Sequence, residues 1–111
     1  MNIKQISVKE LKNKIDNKEN FKLVDCREKT EYDLCRIEGS TFIPLSEFST
    51  CIAAQNSPLH PDDEIVIHCH HGGRSMKACQ YLTSLGYKNV TNLSGGIHDW
   101  SVEIDPSVKQ Y

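Results

Sequence analysis

Several features that would place the chain in another class of protein are missing from its sequence. No apolar run approaches the roughly 20 residues of a membrane-spanning helix, and Met1–Gln5 does not begin a signal-peptide core. There is no low-complexity tract, and a formal net charge of -2 gives no basis for broad binding to nucleic acid or membrane surfaces. We therefore expect a cytoplasmic protein without nucleic-acid or membrane partners.

Cysteine is present, but not in the patterns of a disulfide scaffold. The cysteines are odd in number and none forms a CxxC pair: Cys26, Cys35, Cys51, Cys69 and Cys79. We expect no disulfide framework, and we expect most of these side chains to be small buried hydrophobic groups. A chain of 111 residues is long enough for one domain with one core and too short for two.

The order of strand and helix patterns predicts an α/β fold. Apolar runs predict strands at residues 3–6, 21–26, 41–43, 64–68 and 90–93. Helical patterns alternate with them, at residues 7–17, 30–33, 46–54, 76–85 and from 94 onward. The first helix begins with a capping box formed by Ser7 and Glu10. This alternation predicts an open, five-stranded, mainly parallel sheet with helices on both faces.

Finer expectations follow for the second strand and the residues after it. Residues 21–26 are expected to form a central strand, because the end of this run is apolar on both sides. In the next segment we expect Thr30 to cap a short helix and three side chains to point inward: Tyr32, Leu34 and Ile37.

The second half of the chain carries a longer helix and a polar end. The spacing of Met76, Cys79, Leu82 and Leu85 predicts one apolar helix face, stopped by Gly86. Residues 102–111 are polar, and we expect them to lie on the surface or to fray. We therefore divide the chain into a domain at 1–101 and a C-terminal tail at 102–111.

The segment Cys69–Ser75 has the strongest functional pattern in the chain. It follows the predicted strand Glu64–His68 and precedes a helix, so Cys69 lies where ligands bind in open α/β sheets. Helix-start N–H groups lack intrahelical partners, the helix dipole adds positive charge, and glycines let backbone amides surround an anion. A thiol in this position is expected to have a lowered pKa and to act as a nucleophile.

Side chains that are cationic, or become cationic when protonated, follow this thiol closely in the sequence: His70, His71, Arg74 and Lys77. Our hypothesis is a reactive cysteine that handles small anions. The plain alternative is a buried cysteine beside an ordinary glycine turn, and for the two histidines a solvated loop role is an equal alternative.

Four segments between residues 23 and 100 resemble the single-domain rhodaneses, in the order found in that family. They are Leu23–Glu28 with Glu31 and Tyr32, Ile37–Ser40 with Ile43–Leu45, Cys69–Ser75, and Leu93–Trp100. The resemblance implies a parallel five-stranded sheet and sulfurtransferase chemistry. Cys69 would take a sulfane sulfur from a small anionic donor such as thiosulfate and form a persulfide. It would then pass the sulfur to a thiophilic acceptor, either cyanide or a thiol, including a protein thiol.

The resemblance also implies roles for the residues after Cys69. Backbone N–H groups of the loop would bind the anionic donor and then the persulfide sulfur, while Arg74, with a charged histidine or Lys77, would hold the departing anion. No metal or organic cofactor is implied, since the thiolate itself is the reactive group. Cys69 is thus the expected catalytic residue, and the expected substrate-binding residues are His70, His71, Gly72, Gly73, Arg74 and Ser75.

Other activities on related loops are distinguished by loop length. Dual-specificity and tyrosine phosphatases place five residues between cysteine and arginine, whereas only four lie between Cys69 and Arg74. A shorter loop suits a sulfur atom better than a tetrahedral phosphate or arsenate, so sulfur transfer is favoured over phosphatase or arsenate reductase activity. Inactive rhodanese-like modules typically lack the cysteine, but a sulfur carrier or regulatory module for a protein partner stays open.

A zinc site is a further alternative, suggested by the run His68–His71. Adjacent residues cannot all point at one ion, and no second spaced pair of ligands is present, so we expect no native metal site. His68 is instead expected to be a buried, hydrogen-bonded histidine. Arg27 is expected to form a buried ion pair that supports the strand-to-helix connection, rather than to act in the pocket.

Three expectations concern packing. Gly95 and Gly96 should allow close backbone contacts, and Trp100 should lie in the core. Cys79 should also pack in the core, with a resolving-thiol role left open for it and, more weakly, for Cys35 and Cys51.

We expect a monomer, since no long apolar stripe is left for a second copy.

One segment departs from the family pattern. Many rhodaneses have Gly-His-Ile where this chain has Cys35-Arg36-Ile37, so the local turn geometry and surface contacts there cannot be transferred from the family.

Overall fold

The five strands form one parallel sheet in a computed structural model that describes residues 2–111. The strands are β1 (Lys4–Ile6), β2 (Lys22–Asp25), β3 (Thr41–Phe42), β4 (Glu64–His68) and β5 (Asn89–Leu93). Their spatial order is β1-β5-β4-β2-β3, and every neighbouring pair is parallel. The predicted open, five-stranded parallel sheet is confirmed.

Helices cover both faces of this sheet, as predicted. They are α1 (Val8–Asp16), α2 (Lys29–Leu34), α3 (Phe48–Ala53), α4 (Gly73–Ser84) and α5 (Gly96–Glu103). One core cluster joins the sheet to α3 and α4, through residues such as Phe48 and Leu82. The other joins it to α1 and α5, through residues such as Leu11 and Trp100. None of the helices within residues 2–111 has the length and apolarity needed to cross a membrane.

Local signals in the sequence account for several element ends. The backbone N–H of Glu10 donates to Ser7 Oγ at 3.2 Å, and that of Ser7 donates to Glu10 Oε1 at 3.1 Å. The predicted capping box at the start of α1 is therefore confirmed. Gly86, with φ +94°, follows the end of α4, where a residue without a Cβ adopts this backbone conformation at little cost.

β2 is an interior strand, as predicted, because β4 and β3 pair with it on either side, but it is not the middle strand of the five. The central strand is β4, whose Ile65, Val66 and Ile67 are at most 1% exposed because helices cover them on both faces. β2 lies between β4 and the two-residue β3, close to one edge. An apolar run shows that a strand is buried, but strand order depends on the crossover connections between strands.

Helix boundaries and exposures also differ from the predictions. α2 begins at Lys29 with Glu28, not Thr30, as its N-cap, and the backbone N–H of Glu28 donates to Glu31 Oε1 at 3.2 Å. Leu34 is 43% exposed, because this six-residue surface helix is too short to bury a full face. The expected inward position of Leu34 was wrong, whereas Ile37 is 3% exposed and lies in the core.

The helices on the other face show similar shifts. The single helix predicted at residues 46–54 divides into a 3-10 turn at Leu45–Glu47 and α3. α4 begins three residues before Met76, at Gly73, and ends before Leu85. Leu85 is 50% exposed, so its predicted place on the apolar face was wrong; it lies beyond the last helical turn.

The segment after α5 lies against the domain. Ser101 Oγ donates a hydrogen bond to the carbonyl of Val108, whose side chain is buried in the α1–α5 core cluster. The segment ends with Tyr111 beside the carboxyl edge of the sheet, where Tyr111 contacts His70 and Glu31. α5 itself continues to Glu103, two residues past the predicted division at residue 101, which stays a prediction.

Candidate functional site

The loop Cys69–Ser75 lies at the carboxyl end of the central strand. Cys69 follows β4 directly, and α4 begins at Gly73, so the loop turns within a few residues from strand to helix. Gly72 has φ +122°, a conformation that side chains with a Cβ rarely adopt. Its backbone N–H donates to Cys69 Sγ at 3.1 Å. The predicted strand–loop–helix arrangement around the thiol is confirmed.

Cys69 is only 1% exposed, yet the pKa of its thiol is lowered. Burial acts to raise this pKa, but hydrogen bonds from the Ser75 hydroxyl and from the backbone N–H groups of Ser75, Gly72 and Arg74 outweigh it. These donors stabilise the thiolate and not the thiol. The arrangement therefore favours the thiolate form of Cys69, which is the nucleophilic form of a cysteine, at the N-terminus of α4.

Ser75 connects the thiol to a residue that the sequence reasoning missed. Its Oγ lies 3.4 Å from Cys69 Sγ and 2.5 Å from Asn92 Oδ1, and with a single proton it donates to one of them at a time. Asn92, at 2% exposure, also donates through Nδ2 to the carbonyl of Gly72 at 3.2 Å. The signal available in the sequence was the polar amide of Asn92 within β5, a strand whose last four residues, Asn92 included, are all buried.

The start of α5 holds the other side of the loop. The N–H groups of Ile97 and His98 each donate at 3.0 Å, to the carbonyls of Cys69 and His70 respectively. A Cβ on Gly96 would lie 2.6 Å from the carbonyl oxygen of Cys69 and 2.5 Å from that of His70. The expected close backbone packing at Gly96 is confirmed, and so is the core position of Trp100, which is 6% exposed.

Arg74 forms an ion pair that the sequence reasoning did not predict. Its Nη1 and Nη2 donate to Glu31 Oε1 and Oε2 at 2.6 Å and 2.8 Å. This bidentate pair lowers the pKa of Glu31 to about 2 and raises that of Arg74. The guanidinium expected to hold a substrate anion is thus paired with a carboxylate in this structure, while Lys77 is exposed on α4.

Arg27 takes the supporting position expected of it. Both Arg27 and Asp25 are fully buried, and Nη2 of Arg27 lies 2.7 Å from Asp25 Oδ2. The same guanidinium donates to the carbonyl of Cys35 at 2.6 Å, so it ties the end of β2 to the turn after α2. Cys35, at the point where the chain departs from the family pattern, also has its Sγ 3.7 Å from Arg27 Nη1.

The histidines divide into one buried ring and an aromatic rim. His68 is fully buried, and burial lowers its pKa. Its Nδ1 makes a long contact of 3.5 Å with the Cys69 carbonyl, while Nε2 has no hydrogen-bond partner among residues 2–111, so the expected hydrogen bonding is only partly present. We call His70, His71, His98 and Tyr111 the aromatic rim, because their rings lie together beside the loop.

Metal ligation is not supported by the positions of these rings. Across residues 2–111, no group of three or more His, Cys, Asp or Glu side chains is arranged to hold a metal ion. His71 is exposed and His70 half-buried, so both lie at the surface of the loop. Burial, together with the neighbouring His71, lowers the pKa of His70.

The other buried cysteines are chemically unlike Cys69. Cys26 and Cys79 are fully buried in the same core cluster as Cys69. Burial raises the pKa of both thiols, that of Cys79 to about 12. Such thiols stay protonated at neutral pH and are poor resolving groups. Cys79 therefore fits the packing role that we expected for it.

Comparison with known proteins agrees with this geometry. The model of the rhodanese-like domain matches residues 7–103. YtwF of Bacillus subtilis (strain 168), named as a candidate sulfurtransferase, is 37% identical over 96% of this chain and 98% of its own length. The human single-domain sulfurtransferase TSTD1 superposes with a TM-score of 0.83 at 25% identity, covering 92% of this chain and 98% of that one. The chain belongs to the rhodanese-like family.

Longer relatives contain this domain as a part. YrkF of Bacillus subtilis (strain 168), named as a candidate sulfur carrier protein, is 36% identical over 89% of this chain, and the match covers 51% of YrkF. An Arabidopsis thaliana relative is matched over only 38% of its length. Two relatives that match over nearly their whole length, YtwF and TSTD1, carry sulfurtransferase names, which supports a sulfur-transfer function in general terms.

Proposed function

We propose that this protein is a rhodanese-type sulfurtransferase in which Cys69 carries the sulfur as a persulfide. The observation that carries the proposal is the thiol itself: it is buried, its pKa is lowered, and its donors come from the Gly72 N–H and the Ser75 hydroxyl. In a buried position such donors favour a negatively charged sulfur. A thiolate and a terminal persulfide sulfur both meet that requirement.

The transfer takes place in two displacements. The Cys69 thiolate attacks the sulfane sulfur of thiosulfate or a similar donor; a Cys69–sulfur bond forms, the donor's S–S bond breaks, and sulfite leaves with the electron pair. The acceptor, cyanide or a thiolate, then attacks the outer sulfur of the persulfide, and the Cys69 thiolate is the leaving group. No net oxidation takes place, because sulfane sulfur is passed on at the same oxidation level.

Arg74 acts in this scheme mainly through the loop. The Arg74 guanidinium is bound to both carboxylate oxygens of Glu31. The anionic donor is therefore attracted mainly by the partial positive charge of the loop N–H groups and of the N-terminus of α4. The ion pair keeps Arg74, and with it the first turn of α4, in position beside Cys69.

The direct test is a persulfide measurement. Reduced protein is incubated with thiosulfate, and the peptide containing Cys69 is examined by mass spectrometry for the mass of one added sulfur. We expect this addition, together with release of sulfite, in the native chain and in the Cys79→Ala control. Cys69→Ser should show neither, and normal sulfur transfer to cyanide by that variant would contradict the assignment.

Two further results would redirect the proposal. A persulfide that forms but is not discharged by cyanide or small thiols would favour a sulfur carrier for a protein partner, the function that the name of YrkF suggests for that relative. Rapid hydrolysis of an aryl phosphate, lost in Cys69→Ser, would favour the phosphatase alternative, against the four-residue spacing between Cys69 and Arg74.

A further inference from the structure

Tyr111 makes contacts that are unusual for a residue so far along the chain from the loop. Its ring stacks on the His70 ring with a centroid distance of 3.9 Å and an interplanar angle of 7°. The His70 ring in turn lies 4.0 Å from that of His71. A nearly parallel stack of this kind holds the His70 side chain, the first one after Cys69, in one position.

The hydroxyl of Tyr111 is anchored on its other side. It donates to Glu31 Oε2 at 2.7 Å and accepts from Arg27 Nη1 at 3.1 Å. Glu31 is the carboxylate that holds Arg74, and Arg27 is fully buried. Burial raises the pKa of Tyr111 to about 12, so the phenol stays a neutral donor at physiological pH. Tyr111 is therefore fixed between the supporting ion pairs and the aromatic rim.

This position bears on access to the thiol. Cys69 is 1% exposed, so a donor or acceptor reaches the sulfur only past the side chains that border the loop. His70 is the rim residue next in sequence to the thiol. Beside it, Tyr111 adds a stacked aromatic ring, and Tyr111 as a residue is 39% exposed. A flexible rim would admit substrates of many sizes, whereas a rim held by stacking and two hydrogen bonds sets a size limit.

We propose that Tyr111 is a specificity-determining residue that narrows the approach to Cys69 and so favours small sulfur donors and acceptors over bulky ones. The proposal rests on the proposed function for its physiological meaning, but not for its test. Size selectivity at the Cys69 thiol can be measured with reagents that need no sulfur-transfer activity.

The test compares two thiosulfonates of different size. With methyl or benzyl methanethiosulfonate, the Cys69 thiolate attacks the sulfenyl sulfur, a disulfide forms and methanesulfinate leaves. Mass spectrometry of the Cys69 peptide follows both reactions in native protein, Tyr111→Ala, Tyr111→Phe and the neighbouring Gln110→Ala control. We expect Tyr111→Ala to raise the rate with the benzyl reagent about tenfold relative to the methyl reagent. Gln110→Ala should match the native ratio.

Tyr111→Phe keeps the stacked ring and removes only the hydroxyl. We expect its benzyl-to-methyl ratio to lie within about threefold of the native value, below that of Tyr111→Ala. A Tyr111→Ala ratio equal to the native one would overturn the proposal, and so would equal slowing of both reagents, which would mean that Tyr111 only supports the fold. Thermal unfolding of each variant shows that folded protein is being compared.

Sulfur-transfer kinetics separate this proposal from the function itself. The ratio of kcat/KM for benzenethiosulfonate to that for thiosulfate should rise about tenfold in Tyr111→Ala. If neither the native protein nor any variant transfers sulfur, but the benzyl-to-methyl rate ratio rises in Tyr111→Ala as expected, the proposed function fails and the role of Tyr111 stands. If transfer is normal and both ratios stay unchanged, the role of Tyr111 fails and the function stands.

Discussion

Cys69 and Cys79 belong to one buried cluster, and their exposed fractions are 1% and 0%. The pKa of the Cys69 thiol is nevertheless lowered, while burial raises that of Cys79 to about 12. The two residues lie at the two ends of a short stretch that runs from the end of β4 into α4. Burial is common to both, so it cannot be the source of the difference.

The difference comes from the backbone around each sulfur. Cys69 lies before the first turn of α4, where N–H groups have no intrahelical partner and turn toward Sγ. Cys79 lies in the middle of α4, where every N–H is used within the helix. In this chain the unpaired N–H groups at the strand-to-helix turn lower the pKa of a buried thiol, whereas burial without them raises it.

The largest expected effect is a direct comparison of the two thiols. In native protein at pH 7 we expect iodoacetamide to modify Cys69 at least about 1,000-fold faster than Cys79, because a thiol with a pKa near 12 is almost wholly protonated. Peptide mapping after timed quenching measures both rates. In urea-unfolded protein the rates should converge, and similar rates in the native state would remove the basis of the comparison.

The second prediction separates the cost of a left-handed backbone conformation from the cost of a steric clash with the loop backbone. Gly96 and Gly39 both have positive φ, +58° and +86°, so an alanine at either position bears the cost of a left-handed residue. Only at Gly96 would the Cβ meet the Cys69 and His70 carbonyls. We expect Gly96→Ala to lower kcat/KM for sulfur transfer about 100-fold by displacing the loop, and Gly39→Ala to lower it less than twofold. If Gly96→Ala also lost no more than Gly39→Ala is expected to lose, the loop would tolerate the added Cβ.

The third prediction concerns the hydroxyl next to the thiol. Ser75→Ala removes a donor to the thiolate, so the pKa of Cys69 should rise and the pH–rate profile of its alkylation should move to higher pH. A hydrogen bond to a charged group contributes about 1.5 kcal/mol, so at a pH below the midpoint of the native profile the alkylation rate should fall about tenfold. Ser84→Ala, at the far end of α4, is the control; an unmoved profile in Ser75→Ala would assign the effect to the N–H groups alone.

The smallest expected effect concerns stability. Glu31 has its pKa lowered to about 2, so its pair with Arg74 stabilises the folded state above pH 4.5 and this contribution is lost as the pH falls toward 2. The side chains are 20% and 34% exposed, and solvent screening reduces the contribution to about 1 kcal/mol. Glu31→Gln should lower the free energy of unfolding in urea by that amount at pH 7, and by almost nothing near pH 2.

A neighbouring pair on α2 supplies the control for this measurement. Lys29 and Asp33 are 76% and 54% exposed and form a simple surface ion pair, so Asp33→Asn should change stability by less than about 0.5 kcal/mol. If the two variants lose the same stability, the Glu31–Arg74 pair contributes no more to the fold than a surface ion pair does. If the loss in Glu31→Gln persists near pH 2, it does not come from the charge of the Glu31 carboxylate.

How much could be predicted from the sequence depended on the range of the interaction. The capping box at Ser7, the strand β4 and the glycine loop after Cys69 involve residues within a few positions of each other, and all were predicted. The Glu31–Arg74 pair joins residues 43 positions apart, and the Tyr111–Glu31 hydrogen bond joins residues 80 apart. No periodicity or local motif records such distances, so these contacts were missed.

The sequence by itself determined the strand–loop–helix turn at Cys69 and the lowered pKa of the thiol within it, because glycine conformations and unpaired helix-start N–H groups act locally. Tertiary structure alone decided that β4 is the central strand, that Arg74 is paired with Glu31, and that Tyr111 stacks on His70. Burial and ion pairing depend on surfaces that distant segments present to each other, and those surfaces exist only once the sheet has assembled.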